Sequence, residues 1–97
     1  MPPIKLLKIL PSTKKTKKYT AFFMINQKIK VVHFGGKGFS DFTIHKDPLR
    51  KKRYLTRHRK NENWKDPTTP GALSRWVLWN LPSFNKSIKD YKRRFKL

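Results

Sequence analysis

Read as alternating hydrophobic and polar positions, the chain shows two strand-like runs in its first half and three helix-like runs in its second. Tyr19–Ile25 and Lys28–Phe34 are rich in aromatic and β-branched residues and are separated by Asn26-Gln27, which predicts an antiparallel hairpin. Within the second run Lys28, Lys30 and Val32 alternate with Ile29, Val31 and His33, so the two lysines and the two aliphatic residues occupy opposite faces. Asn26 accepts a positive φ, but Gln27 is a poorer second turn residue than glycine, which leaves room for a turn longer than two residues. The next stretch, FGGKGFSDFTIHKD (Phe34–Asp47), holds Gly35, Gly36 and Gly38. It predicts a glycine turn leaving the strand, with an anion-binding nest around Lys37 as the alternative. Phe39–Ile44 then reads as a short extended piece with Phe42 and Ile44 on one side.

Helix starts are marked by a capping residue followed by proline. Asp47-Pro48 opens a predicted helix over Pro48–Lys60, and Thr69-Pro70 opens another over Pro70–Trp79. Leu73, Trp76, Val77 and Asn80 recur there at helical spacing. Pro82-Ser83 precedes a third helix, Phe84–Phe95, with Phe84, Ile88, Tyr91 and Phe95 in one stripe and Lys86, Lys89, Lys92, Arg93, Arg94 and Lys96 on its other faces. The expected core includes Phe34, Ile44, Leu73, Trp76, Val77 and Ile88. Upstream, Ile4–Leu10 is too short and too irregular in period to assign, and Pro2, Pro3 and Pro11 disfavour a long helix. Pro11–Lys18 has linker composition. The expected organisation is therefore an extended basic arm over residues 1–18, then a small α+β domain over residues 19–97: a β-hairpin, a glycine turn and three short helices.

Composition changes this picture in one respect. Lys and Arg number 25 against 5 Asp and Glu, a net charge of +20. The excess is not a tail, because the chain carries +9 up to Lys46 and +11 beyond it. Such a surface repels itself and calls for a polyanion or an acidic protein surface. The Pro48–Lys60 helix, dense in like charges at i, i+3 and i+4, needs the same relief. The chain has no Cys, which removes disulfides, thiolate nucleophiles and the common zinc sites and fits a reducing compartment. No stretch approaches the ~18 uninterrupted apolar residues of a membrane span. The basic amphipathic last helix keeps a membrane-surface partner open.

Candidate chemistry is sparse. His33, His45 and His58 lack the spacing of a metal site. His58-x-Lys60 begins a phospholipase D-type signature, but Lys65 stands where its Asp belongs. A His–Asp acid/base pair built from Asp41 with His45 or His33 is conceivable, yet small charged proteins contain such pairs by chance. No catalytic residue, metal, cofactor or small-molecule substrate is expected.

At FGGKGFSDFTIHKD, RHRKNENW (Arg57–Trp64) and DPTTPGALSRWVLWN (Asp66–Asn80), the chain resembles a family of short basic proteins of unknown function widespread in nucleocytoplasmic large DNA viruses. The resemblance spans about Val31 to Phe95, with mild departures at Phe39 and Phe42, where the family more often has Tyr, and at Pro70, where Ala is usual. It implies a viral setting and carries no catalytic residues. The favoured expectation is a structural virion protein on the inner side of the capsid, assembled in the reducing host compartment and cementing neighbouring capsid proteins of the same virus. The alternative is a sequence-independent binder of viral DNA; an anionic membrane surface ranks third. In each reading the polyanion or partner contacts are expected from Lys14, Lys15, Lys17, Lys18, Lys37, Arg50, Lys51, Arg53, Arg57, Arg59, Lys60, Arg93 and Arg94. The apolar anchors are expected to be Ile4, Leu6, Leu7, Leu10 and Trp64.

Overall fold

Asn26 and Gln27 both adopt left-handed backbone, with φ of 51° and 64°, the geometry of a two-residue type I′ turn. The hairpin loop is thus as short as it can be despite lacking glycine. It joins β2 (Lys17–Ile25) to β3 (Lys28–Gly36) in the computed structural model of the protein, which describes residues 3–97. The α+β class read from the sequence is the class observed: a three-stranded antiparallel sheet with short helices.

The third strand corrects the expected organisation. Ile4–Pro11 is extended, but it forms β1, antiparallel to β2, in the order β1-β2-β3. The boundary placed after Lys18 falls inside β2, and of the expected arm Met1 and Pro2 lie outside the described residues. A bulge between Leu6 and Lys8 shifts the register, so Ile4, Leu6, Ile9 and Pro11 lie opposite Ile25, Phe23, Ala21 and Tyr19. That extra residue breaks the two-residue period. It is the physical reason the strand has no readable alternation.

Phe39–Ile44 is the second correction. Asp41 caps a one-turn helix, α1 (Phe42–His45), by accepting from the Thr43 N–H at 2.9 Å, and Lys46 closes it with φ 57°. One helical turn separates residues that a strand would align. Phe42 is therefore buried, while Ile44 is 62% exposed and does not join the core. The Asp47-Pro48 signal opens α2 (Pro48–His58), with Asp47 accepting from the Leu49 N–H. Thr69-Pro70 opens α3 (Pro70–Leu73), which runs on as a π-helical turn over Ser74–Leu78, and α4 spans Phe84–Phe95, capped by Ser83.

The core lies between one face of the sheet and α3, the π turn and α4. Leu6, Ala21, Phe23, Val32 and Phe34 come from the strands, and Leu73, Val77, Leu78 and Tyr91 from the helices. Trp76 and Ile88, both expected inside, pack at its margin, as do Phe84 and Phe95. The wider π turn adds Leu78 to the buried set, one residue beyond the i, i+4 pair Leu73 and Val77.

Two carboxylates in the helical half are held by hydrogen bonds, Asp90 across elements and Asp66 within its own loop. Asp90 accepts from Asn80 Nδ2 at 2.6 Å and from Arg93 and Arg94; burial alone would push its carboxyl up, yet these bonds hold it below the usual carboxylate range. Asp66 is lowered by the Thr68 N–H, against opposing burial and with help from the Thr68 hydroxyl and Lys30. Groups depressed on folding stabilise fully above their unfolded value near ~4, and that contribution disappears as pH falls through the folded values. The melting temperature is expected to fall on acidification below about pH 4. Thermal melts from pH 6 to 2 check this, and a flat profile would refute it.

Candidate functional site

Two surfaces stand out once the fold is in place. The first is the sheet face opposite the helices. Phe22 lies between Lys8 and Val31, Met24 between Lys5 and Ile29, and Thr20 between Leu10 and His33. Helices cover only the other face, so Leu10, Ile29 and Val31 stay about half exposed beside the partly buried Phe22 and Met24. The Lys8 ammonium lies 5.1 Å from the centre of the Phe22 ring. The result is an apolar stripe edged by lysines, the kind of patch that marks an interaction surface.

That face redistributes the expected anchors. Leu6 is buried in the core and Ile4 packs against it, so neither is available to a partner. Leu7, in the bulge, and Leu10 remain exposed. Trp64 is half-buried; its indole N–H donates to Glu62 at 2.8 Å and the Arg75 guanidinium sits 5.5 Å from its ring.

The second surface is a cleft of about 520 Å³ between the ends of β2 and β3, the turn after β3, α2 and the start of α3. Gly35, at φ 78°, forms part of its wall; a Cβ there would stand 2.9 Å from Leu78 Cδ1, so glycine is required by both backbone and packing. Backbone donors of the turn that follows are already engaged: the Lys37 N–H donates to Thr16 O, just ahead of β2, and the Phe39 N–H to Gly36 O within the turn. This favours the glycine-turn reading over a nest, and Lys37 projects as an exposed side chain.

Aromatic rings floor the cleft. Trp79 and Tyr54 stack at 4.2 Å with planes 3° apart, and His58 stacks on Tyr54 at 4.2 Å. Burial, with Glu62 nearby, pushes the Tyr54 phenol well above its usual value. The carboxylates lining the cleft are already engaged. Asp41 accepts from the Lys18 ammonium at 2.7 Å and from Thr43, and Glu62 pairs with His58 Nδ1 at 2.9 Å and with Trp64. Lys17, Arg50 and Arg57 line the same cleft and, among the described residues, have no carboxylate within 4.0 Å.

The remaining expected contacts sort themselves by this geometry. Lys14, Lys15, Arg53, Arg59 and Lys60 are exposed. Lys18 turns inward to Asp41. Lys51 donates to Asn80 O at 2.6 Å and lies over the Phe42 ring, and burial, with Arg75 nearby, pushes its ammonium below the usual lysine value. Arg93 and Arg94 are anchored on Asp90. Arg75, missed in the sequence, is held between Trp64 and Trp76 while Arg94 also packs on Trp76; burial, with Arg94 nearby, lowers its guanidinium.

The histidines serve local structure. His33 Nδ1 sits 2.8 Å from Thr20 Oγ1 and 3.2 Å from Ser12 Oγ, and His45 Nδ1 accepts from the Asp47 N–H at 2.9 Å. Asp41 pairs with neither. Among the described residues no cluster of three or more His, Asp or Glu could hold a metal ion, and no helix is long and apolar enough to cross a membrane.

No curated protein and no solved structure matches the chain. A family match does cover residues 7–58, from β1 through α2, and takes in the glycine turn, the open sheet face and the Lys17, Arg50 and Arg57 side of the cleft. With more than half its length matched, the chain belongs to a family of unknown function, DUF5754.

Proposed function

We propose that the protein is a small structural component of a large DNA virus particle, a minor capsid protein that cements neighbouring capsid proteins from the inner side of the shell. The open apolar sheet face carries this reading. Its stripe of Leu10, Phe22, Met24, Ile29 and Val31 is edged by Lys5 and Lys8, so the fitting partner is a capsid-protein surface with an apolar patch ringed by carboxylates. A second copy fits poorly, because it would press two chains of +20 together. The exposed cations of α2 and α4 lie on the helical side and can meet a second acidic surface, as a cement requires.

The test uses particles assembled with wild type or with the double variant I29E/V31E, whose side chains are exposed and whose fold is expected to persist. Wild type is expected at fixed lattice positions, and the variant to fall at least tenfold in purified particles. Normal incorporation of the folded variant, or absence of the wild type from particles, would overturn the reading.

A second reading, packaging of viral DNA, is favoured by α2 and the residues just after it. Arg50, Lys52, Arg53, Arg57, Arg59 and Lys60 are all exposed there. Duplex affinity would then fall with salt at a log-log slope of about −0.9 per neutralised phosphate and be indifferent to I29E/V31E.

A further inference from the structure

The cleft beneath α2 has features that neither capsid contact nor diffuse charge requires. It combines a concave volume of about 520 Å³, within the range of small-ligand sites, with three cations whose charge is not cancelled locally. Arg50 and Arg57 stand two turns apart on α2, and Lys17 faces them from β2. An ordinary cationic surface would leave such side chains on a convex face. Here they converge on a hollow whose two carboxylates are engaged by Lys18, Thr43, His58 and Trp64.

The rim adds a second, independent feature. Phe39 is 76% exposed, the most exposed large apolar side chain among the described residues, and it lines this cleft. One edge of its ring passes close to the turn, where a Cβ on Gly36 would come within 2.8 Å of Phe39 Cδ2. Gly36 therefore lets the ring rest against the backbone while its other side stays open. An exposed aromatic face beside clustered cations matches two parts of one ligand: a planar ring to stack and a phosphate to pair. The hydroxyl of Ser40, in the same lining, suits the polar linker between them.

We propose that this cleft binds a nucleotide unit, its phosphate held by Lys17, Arg50 and Arg57 and its base stacked on Phe39. The same chemistry is presented by a free mononucleotide and by an unpaired nucleotide within a strand. An acidic peptide has the charge but no planar ring for Phe39. Duplex DNA keeps its bases stacked and offers phosphates and groove edges but no free base face for Phe39. Occupancy of the cleft does not depend on the sheet face, so its failure and that of the capsid reading are separable.

Calorimetric titration of the full-length protein with dAMP, pyrophosphate and the oligonucleotide (dT)8 tests the assignment. Arg50→Gln with Arg57→Gln is expected to weaken dAMP and (dT)8 at least tenfold. A control pair on the outer face of α4, Lys89→Gln with Lys92→Gln, and the sheet variant I29E/V31E should leave dAMP binding unchanged. Phe39→Ala is expected to weaken dAMP and (dT)8 about fivefold while sparing pyrophosphate, in line with the stacking contribution of an aromatic platform. These positions are exposed, so the variants should melt like wild type; Lys17→Gln supplies an independent cation test.

Binding of dAMP with this pattern assigns a free nucleotide. The same pattern with (dT)8 alone assigns a strand. Equal losses from the cleft and control pairs would reduce the site to diffuse charge and overturn the proposal. So would a silent Phe39→Ala with pyrophosphate bound as tightly as dAMP, which would leave a bare anion site.

Discussion

Removing residues 1–11 is expected to unfold the domain, not merely to detach an arm. β1 supplies Leu6 to the core and packs Ile4 and Ile9 against it. Burying a large aliphatic side chain contributes about 1.5–3 kcal/mol, so the three together contribute several kcal/mol. A domain of this size is stable by only about 5–15 kcal/mol in total. The deletion also turns β2, the central strand, into an edge with unpaired backbone groups and apolar side chains on both faces. The truncated protein should lose its cooperative urea transition, show poor amide dispersion in NMR spectra and aggregate. A truncated chain that melts cooperatively within a few degrees of wild type would show that β1 is dispensable and restore the free-arm view.

That outcome bears on why some elements were legible in the sequence and others were not. The stripe Phe84, Ile88, Tyr91 and Phe95 sits in one uninterrupted helix with a serine cap, so its period survives intact and α4 matches its expected limits. The hairpin was equally plain, although its turn accommodates Gln27 at φ 64° without glycine. β1 was hidden by its bulge, because Leu6 and Ile9 are three apart yet share the core face. Around Phe42 and Ile44 two periods compete over six residues, and the Asp41 cap decides for the helix.

The two candidate surfaces show different limits. A strand with Phe22 and Phe23, then Met24 and Ile25, is apolar on both faces and implies two covers. The fold supplies one, so the open face had a signal in β2. The cleft had none. Its cations come from β2 and α2, its floor from Trp79 and its rim from Phe39, and only the tertiary fold brings these segments together.

The Lys18–Asp41 pair at the base of the cleft should be the most consequential single contact. The Asp41 carboxylate is 3% exposed and the Lys18 side chain 14%, so both charges are largely out of water. Asp41 also accepts from the Thr43 N–H and hydroxyl and so fixes α1. Lys18→Met leaves a buried carboxylate with no cation, and removing one partner of such a pair costs about 3–5 kcal/mol. Asp41→Ala strands the ammonium instead and adds loss of the cap, worth about 1 kcal/mol. The double variant K18M/D41N leaves no uncompensated charge, and Asn still presents an oxygen to the Thr43 N–H. It is expected to recover most of the loss, because replacing a whole buried pair by neutral groups is often close to neutral. Urea midpoints of wild type, the two single variants K18M and D41N and the double variant form the cycle that measures the coupling. A coupling of several kcal/mol is expected, about 3 or more. Simple additivity of the two single losses would show that the pair is screened by water and that the wall of the cleft is held by the Asp41 cap alone.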